Sequence, residues 1–154
     1  GPTLLALSRQ NLPTVNPDTA AVVAKVKRGA YVAKDCEGTP DAIIIATGSE
    51  VETALDAAEL LRGEGAGVRV VSMPSWELFA KQDASYRESI LPSAVSARVS
   101  VEAGITMGWQ QWVGDKGASV GIDHFGASAP AETLFEKFGF TAENVATTVR
   151  SVMG

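Results

Sequence analysis

Cysteine and histidine are almost absent from this chain: Cys36 and His124 stand alone among 154 residues. One thiol makes no disulfide frame, and one Cys with one His has no zinc-ligand spacing. The absence of disulfides fits a cytoplasmic protein. Basic excess is missing as well. Thirteen Lys and Arg against eighteen Asp and Glu leave a net charge of -5, which supplies no positive field for nucleic acid or an anionic membrane surface. No window approaches the ~18 consecutive apolar residues that a membrane-spanning helix needs. The chain also lacks an initiator Met and a signal-peptide pattern, opening Gly1-Pro2. That start reads as a cut piece, with Gly-Pro either native or a protease scar. No internal repeat, low-complexity tract or Gly-x-Gly-x-x-Gly fingerprint occurs, and the missing fingerprint counts against a dinucleotide.

What remains is ordinary for one soluble domain with a core: 45% hydrophobic and 20% charged residues. Short β-branched runs alternate with segments of helical period, an α/β pattern. "DAIIIATG" (41–48) carries five consecutive apolar residues and reads as a central strand covered on both faces. Ser49, with Glu52 in the capping-box position, opens a helix striped by Val51, Leu55, Ala58 and Leu61 and stopped by Gly63 and Gly65. "GVRVVSMP" is a second strand, and strand, helix, strand in that order predicts a right-handed parallel unit. "SYRESILP" is a short helix ended by Pro92, "ARVSVEAG" a third strand, and "ASVGIDHFG" a fourth. Between the last two, "ITMGWQQWVG" places Trp109, Trp112 and Val113 on one helical face, either as core or as an interface patch. "PAETLFEKFG" and "AENVATTVRSVM" close the chain as helices, with Thr141 capping the second. These pieces predict a three-layer α/β/α sandwich on a mostly parallel sheet, residues 29–154, preceded by a strand and linker over 1–28.

Three positions invite a functional reading. Thr47, Gly48 and Ser49 lie at the carboxyl end of a central strand and open a helix, where free N–H groups and the helix dipole favour an anion. Ser49 and Glu52 can satisfy the same donors internally, so a plain capped helix is the competing reading. His124 has no nucleophile or orienting carboxylate at an informative spacing, and is read as a strand-end or loop residue. Arg9 ends an apolar run, Leu4 to Leu7, with Ser8 and Gln10 beside it. A guanidinium there is either simply solvated or set to bind an oxyanion.

Seven blocks in fixed order, "LSRQNLP", "GAYV", "IIIATGSEV", "VRVVSMPSWELF", "YRESILP", "SVEAG" and "GIDHFGASAPAETLFEKFGFT", resemble the carboxy-terminal portion of transketolase. The resemblance covers nearly the whole chain. It implies a parent enzyme that uses thiamine diphosphate and a divalent metal, Mg or Ca, to move a two-carbon ketol unit from a ketose phosphate to an aldose phosphate in the pentose phosphate pathway. It implies a homodimer. It also implies that 1–28 are the last strand of the pyrimidine-binding domain with its linker, and that 29–154 are the carboxy-terminal domain. Arg9, in the "SRQ" block, would bind the substrate phosphate. The family's Gly-Asp-Gly block is absent, "VGDKG" (113–117) does not replace it, and neither Glu50 nor Glu102 takes the catalytic role by position. No catalytic or metal-binding residue is therefore assigned, and the chain alone is expected to be inactive and to bind no cofactor. Two alternatives stand beside this one. The equivalent domain of pyruvate dehydrogenase or deoxyxylulose phosphate synthase is of the same kind, though "LSRQNLP" and "FGASAPAETLFEKFGFT" favour transketolase. An independent anion- or nucleotide-binding module using Thr47 to Ser49 would explain only the turn.

Overall fold

The five apolar residues of the "AIIIA" run form a strand, β2 (Ala42–Ala46), in which every residue is buried. An uninterrupted apolar strand is stable only where both sheet faces are covered. In the computed structural model, which describes residues 2, 4, 10–15 and 17–154, β2 is the middle of a five-stranded sheet. Its neighbours are β3 (Val68–Ser72) and β4 (Arg98–Val101), both parallel to it, with Ile44 opposite Val70 on one side and Val99 on the other. β5 (Ala118–Val120) extends the sheet in parallel beyond β4, with Ser100 opposite Ser119. On the other edge β1 (Tyr31–Lys34) runs antiparallel to β3, with an irregularity between Val32 and Lys34. The sheet is thus mostly parallel, as read from the sequence.

The period-two alternation of β2 sorts the molecule into two cores. Ala42, Ile44 and Ala46 pack with α2 (Glu50–Gly63) and α7 (Ala142–Met153) through Ala54, Ala58, Leu61, Val145 and Val149. Ile43 and Ile45 face Phe79 of α3 (Trp76–Ala80), Ile90 of α4 (Ala84–Ile90), and Trp109 with Val113 at α5 (Gln110–Val113). The result is the expected α/β/α sandwich. α6 (Ala131–Phe138) ends at Gly139, whose φ of +81° is left-handed, and Thr141 Oγ1 accepts from Asn144 N at 3.2 Å to start α7.

Four local readings change. The segment read as strand and linker contains α1 (Thr19–Val26), capped by Asp18, whose Oδ1 accepts from Ala21 N at 3.1 Å. The strand read over Leu4 to Leu7 falls mainly on residues 5–7, outside the described residues. "WELFA" is a further helix, because Ser75 Oγ accepts from Leu78 N at 3.2 Å and fixes a first turn. The fourth strand stops at Val120, since Gly121 sits against Thr106, where a Cβ would lie 2.6 Å from Thr106 Cγ2. Finally, the capping box does not form: Ser49 is already helical (φ −66°, ψ −27°) and makes no side-chain cap bond. Its hydroxyl donates to Glu50 Oε1 instead.

The entry to the sheet is held tightly. Gly29 has φ +87°, and a Cβ there would lie 2.3 Å from Phe79 N and 2.5 Å from Ser75 O. Ser75 N donates to Gly29 O at 3.0 Å, and Tyr86 OH donates to Ala30 O at 2.8 Å. Beside it the Arg28 guanidinium lies 3.2 Å from the centre of the Tyr86 ring, a cation–π contact. Gly29→Ala adds a left-handed penalty of about 1–2 kcal/mol to an overpacking cost of about 1–3 kcal/mol. Urea denaturation is expected to show a loss of roughly 2–5 kcal/mol, and a loss below about 1 kcal/mol would mean that the α3 backbone yields freely.

Candidate functional site

In an open parallel sheet the carboxyl ends of the strands, where the chain order reverses, are the place for a site. Here the chain passes from β3 on one side of β2 to β4 on the other, so the switch point lies between β2 and β4. The turn after β2 is Thr47-Gly48-Ser49, with Gly48 at φ +52° and Glu50 N donating to Thr47 O at 3.1 Å. After β4 comes Glu102, and the two strand ends meet through it. Thr47 Oγ1 donates to Glu102 Oε1 at 3.2 Å, and Trp109 Nε1 donates to Glu102 Oε2 at 2.9 Å. Glu50, in the first turn of α2, is 6% exposed. Its carboxyl accepts from the Ser49 hydroxyl at 3.1 Å. Burial pushes the Glu50 carboxyl above the usual carboxylate range; the Glu102 charge adds to this, and the hydrogen bonds offset part of it.

The predicted anion position is therefore flanked by two carboxyl groups. The Thr47 and Ser49 hydroxyls are turned to them, and an anion at this turn would meet a negative field along with the favourable end of the α2 dipole. Arg9, the predicted phosphate ligand, lies outside the described residues together with Ser8. His124 is an exposed loop residue whose Nδ1 lies 2.8 Å from Phe125 O and whose ring packs edge-on against Phe138. Among the described residues no group of three or more His, Cys, Asp and Glu side chains is placed to hold a metal ion. No helix among them is long and apolar enough to cross a membrane.

Trp109 resolves one open alternative. It is 1% exposed, meets Trp76 edge-on at 4.8 Å, and belongs to the core rather than to an interface patch. Trp112 is only partly buried, 5.3 Å from Phe79. Sequence reasoning missed the bond between Trp109 and Glu102. The two are seven positions apart in "EAGITMGW", a spacing that puts residues on one face only in a helix, whereas this segment is an irregular loop and only its closure brings them together. Trp109→Phe keeps most of the buried ring and removes the N–H, leaving Glu102 Oε2 without that donor. A stability loss of about 1–3 kcal/mol is expected in thermal or urea unfolding, and a change below about 0.5 kcal/mol would show that the bond contributes nothing net.

The fold has known counterparts. The model of the transketolase-like C-terminal domain matches residues 29–141. Transketolase 2 of Escherichia coli K12 is 57% identical over 154 residues, all of this chain and 23% of that protein. Transketolase 1 of the same organism is 57% identical over 153 residues, again 23% of its length. Among solved structures, transketolase from Leishmania mexicana superposes with a TM-score of 0.79 at 46% identity, covering 85% of this chain and 19% of that one. A Pichia stipitis transketolase solved in complex with sedoheptulose-7-phosphate gives 0.82 at 38% identity, covering 94% and 20%. The chain thus spans less than a quarter of the length of these relatives, and over that span it belongs to the transketolase family, with the family's carboxy-terminal domain at residues 29–141.

Proposed function

We propose that the chain is the non-catalytic carboxy-terminal portion of a thiamine diphosphate-dependent transketolase. The parent would move a two-carbon ketol unit from a ketose phosphate to an aldose phosphate, as a cytoplasmic homodimer. In that parent, residues 29–154 support dimer assembly and residues 1–28 are the tail of the preceding domain, carrying Arg9 to the substrate phosphate. The observation that carries this reading is 57% identity along the entire chain to relatives of which it makes up 23%. A sugar-phosphate ligand has a precedent in the Pichia relative solved with sedoheptulose-7-phosphate.

The turn after β2 does not suit a diphosphate. The carboxyl end of the sheet presents Glu50 and Glu102 with their donors already engaged, and offers no cationic side chain among those contacts for a diphosphate. Thiamine diphosphate and its Mg or Ca are accordingly assigned to the remainder of the parent. The isolated chain is expected to show no ketol transfer and, in calorimetric titration with thiamine diphosphate and Mg, no saturable heat. Saturable binding would move part of the cofactor shell into this chain.

Arg9 is assigned by chemistry that a Lys reproduces only in part: the planar guanidinium donates two parallel hydrogen bonds to one phosphate. Arg9→Ala in the full-length enzyme is expected to remove about 1.5–3 kcal/mol of transition-state binding. That corresponds to a fall in kcat/KM on the order of ten- to a hundred-fold for phosphorylated sugars. Unphosphorylated sugars should lose several-fold less, and Arg9→Lys should recover part of the activity. Equal losses on both substrate classes, with the fold intact by circular dichroism, would take Arg9 out of the site.

A further inference from the structure

We propose that a ledge formed by Ile105, Met107 and Phe125 is a docking surface, and that its occupant is the portion of the same parent chain that precedes Gly1. This rests on the reading of the chain as the carboxy-terminal portion of a longer enzyme, and it assigns a contact that the reading leaves open. Ile105, Met107 and Phe125 are 55%, 75% and 98% exposed. Single apolar side chains at a surface are ordinary, but these three stand on two loops that are fastened together. Thr106, between Ile105 and Met107, donates its backbone N–H and its hydroxyl to Asp123, two residues before Phe125, both at 2.8 Å. Ile122 N donates to Gly104 O at 2.7 Å. The first loop ends on the buried Trp109, and on the second the His124 ring packs against Phe138. Apolar groups carried on braced loops lose little freedom when they are covered, which suits a docking anchor. Residues 123–133 are all exposed, so the second loop and the first turn of α6 have no covering layer in this domain.

Where the ledge stands selects its occupant. The loops after β4 and β5 leave the carboxyl end of the parallel strands. Tyr31 at the start of β1 pairs with Ser72 at the end of β3, and Gly29 O accepts from Ser75 N, so the domain is entered at that same end. Five strands spaced about 4.8 Å apart put the β1 edge about 19 Å from the β5 edge. The tether before Gly29 has comparable reach: α1 is about 12 Å long, and residues 10–15 add up to about 20 Å when extended. A domain on that tether, roughly 30–40 Å across, covers the whole end of the sheet, ledge included. The relatives supply the length, since this chain makes up 23% of a protein that it matches throughout. A second copy fits less well. Copies related by a twofold axis would set one protruding ledge against the other. The cleft of about 800 Å³ at the opposite end of the sheet is ringed by Lys34, Asp35, Glu37, Glu59 and Arg62, a charged seat for apolar anchors.

Methionine oxidation reads the ledge directly, because hydrogen peroxide converts an accessible thioether to its sulfoxide. Met73, 1% exposed, is the internal reference for a buried one. In the 154-residue chain Met107 is expected to oxidise many-fold faster than Met73. In the full-length parent the Met107 rate should fall several-fold or more, towards that of Met73, and Phe125→Asp should bring it back up. Phe125→p-benzoylphenylalanine in the parent identifies the occupant: irradiation should give an adduct of single-chain mass, cross-linked to residues ahead of Gly1. Met107 that oxidises many-fold faster than Met73 in the parent overturns the proposal. So does an adduct of twice the chain mass, which makes the second copy the occupant. The ratio of Met107 to Met73 within the parent decides the matter even if the 154-residue chain fails to fold alone. A parent that transfers ketol units while Met107 stays fast loses the docking surface and keeps the transketolase reading, whereas a gene with no coding sequence ahead of Gly1 removes both.

Discussion

Burial of β2 on both faces is the constraint from which the rest of the molecule follows. Five consecutive residues, Ala42 to Ala46, have no exposed surface, so each face of the strand needs its own helical layer. The alternation within "AIIIA" assigns Ile44 to the layer of α2 and α7 and Ile43 with Ile45 to that of α3, α4 and α5. The two layers differ in character. Small residues of α2, Ala54, Ala57 and Ala58, let that helix lie close to the sheet and to α7, whereas the opposite layer is filled by Phe79, Trp109 and Met73. Small side chains thus line one face of the sheet and large rings the other.

The same layering puts the polar groups at one end. Parallel strands deliver their carboxyl ends together, so Thr47 and Glu102 arrive as neighbours without being near in sequence. Glu102 is the junction of that end, receiving one donor from the strand next to it and one from a Trp of the core below. Away from it, Arg98 at the other end of β4 donates to the carbonyls of Leu91, Pro92, Val95 and Trp112. Charged side chains thus tie both ends of β4 to the aromatic layer. Burial holds the proton affinity of the Arg98 guanidinium below its usual range, and the carbonyls compensate by accepting its N–H groups.

As a portion of a transketolase, the chain is a small part of a larger molecule. Its relatives are more than four times its length, and the motif that would hold a diphosphate is not in it. What it does contain is a self-consistent sandwich whose first residues, Arg28 to Ala30, are clamped onto α3 and α4 by Tyr86, Gln82 and the tight turn at Gly29. The chain that precedes this clamp, α1, meets the sandwich at a fixed point.

The α/β class, β2 as central strand, the parallel unit with β3, and the helices α2, α6 and α7 were legible in the sequence, because period and punctuation are local properties: "AIIIA" is apolar throughout, Gly63 and Gly65 follow one stripe, and Thr141 precedes another. Local chemistry also misled. Ser49 and Glu52 have the spacing of a capping box, but the hydroxyl found a nearer acceptor in Glu50. α1 and α3 are short, and their caps, Asp18 and Ser75, carry the signal rather than any long stripe. The family was legible through seven ordered blocks, which preserve order without geometry. What the tertiary structure alone decided is which polar groups meet. Glu102 with Thr47, at a separation of 55 residues, and Trp109 with Glu102, across an irregular loop, depend on how strands are ordered and how loops close. Those distances are set by packing of the whole sheet, and no local period encodes them.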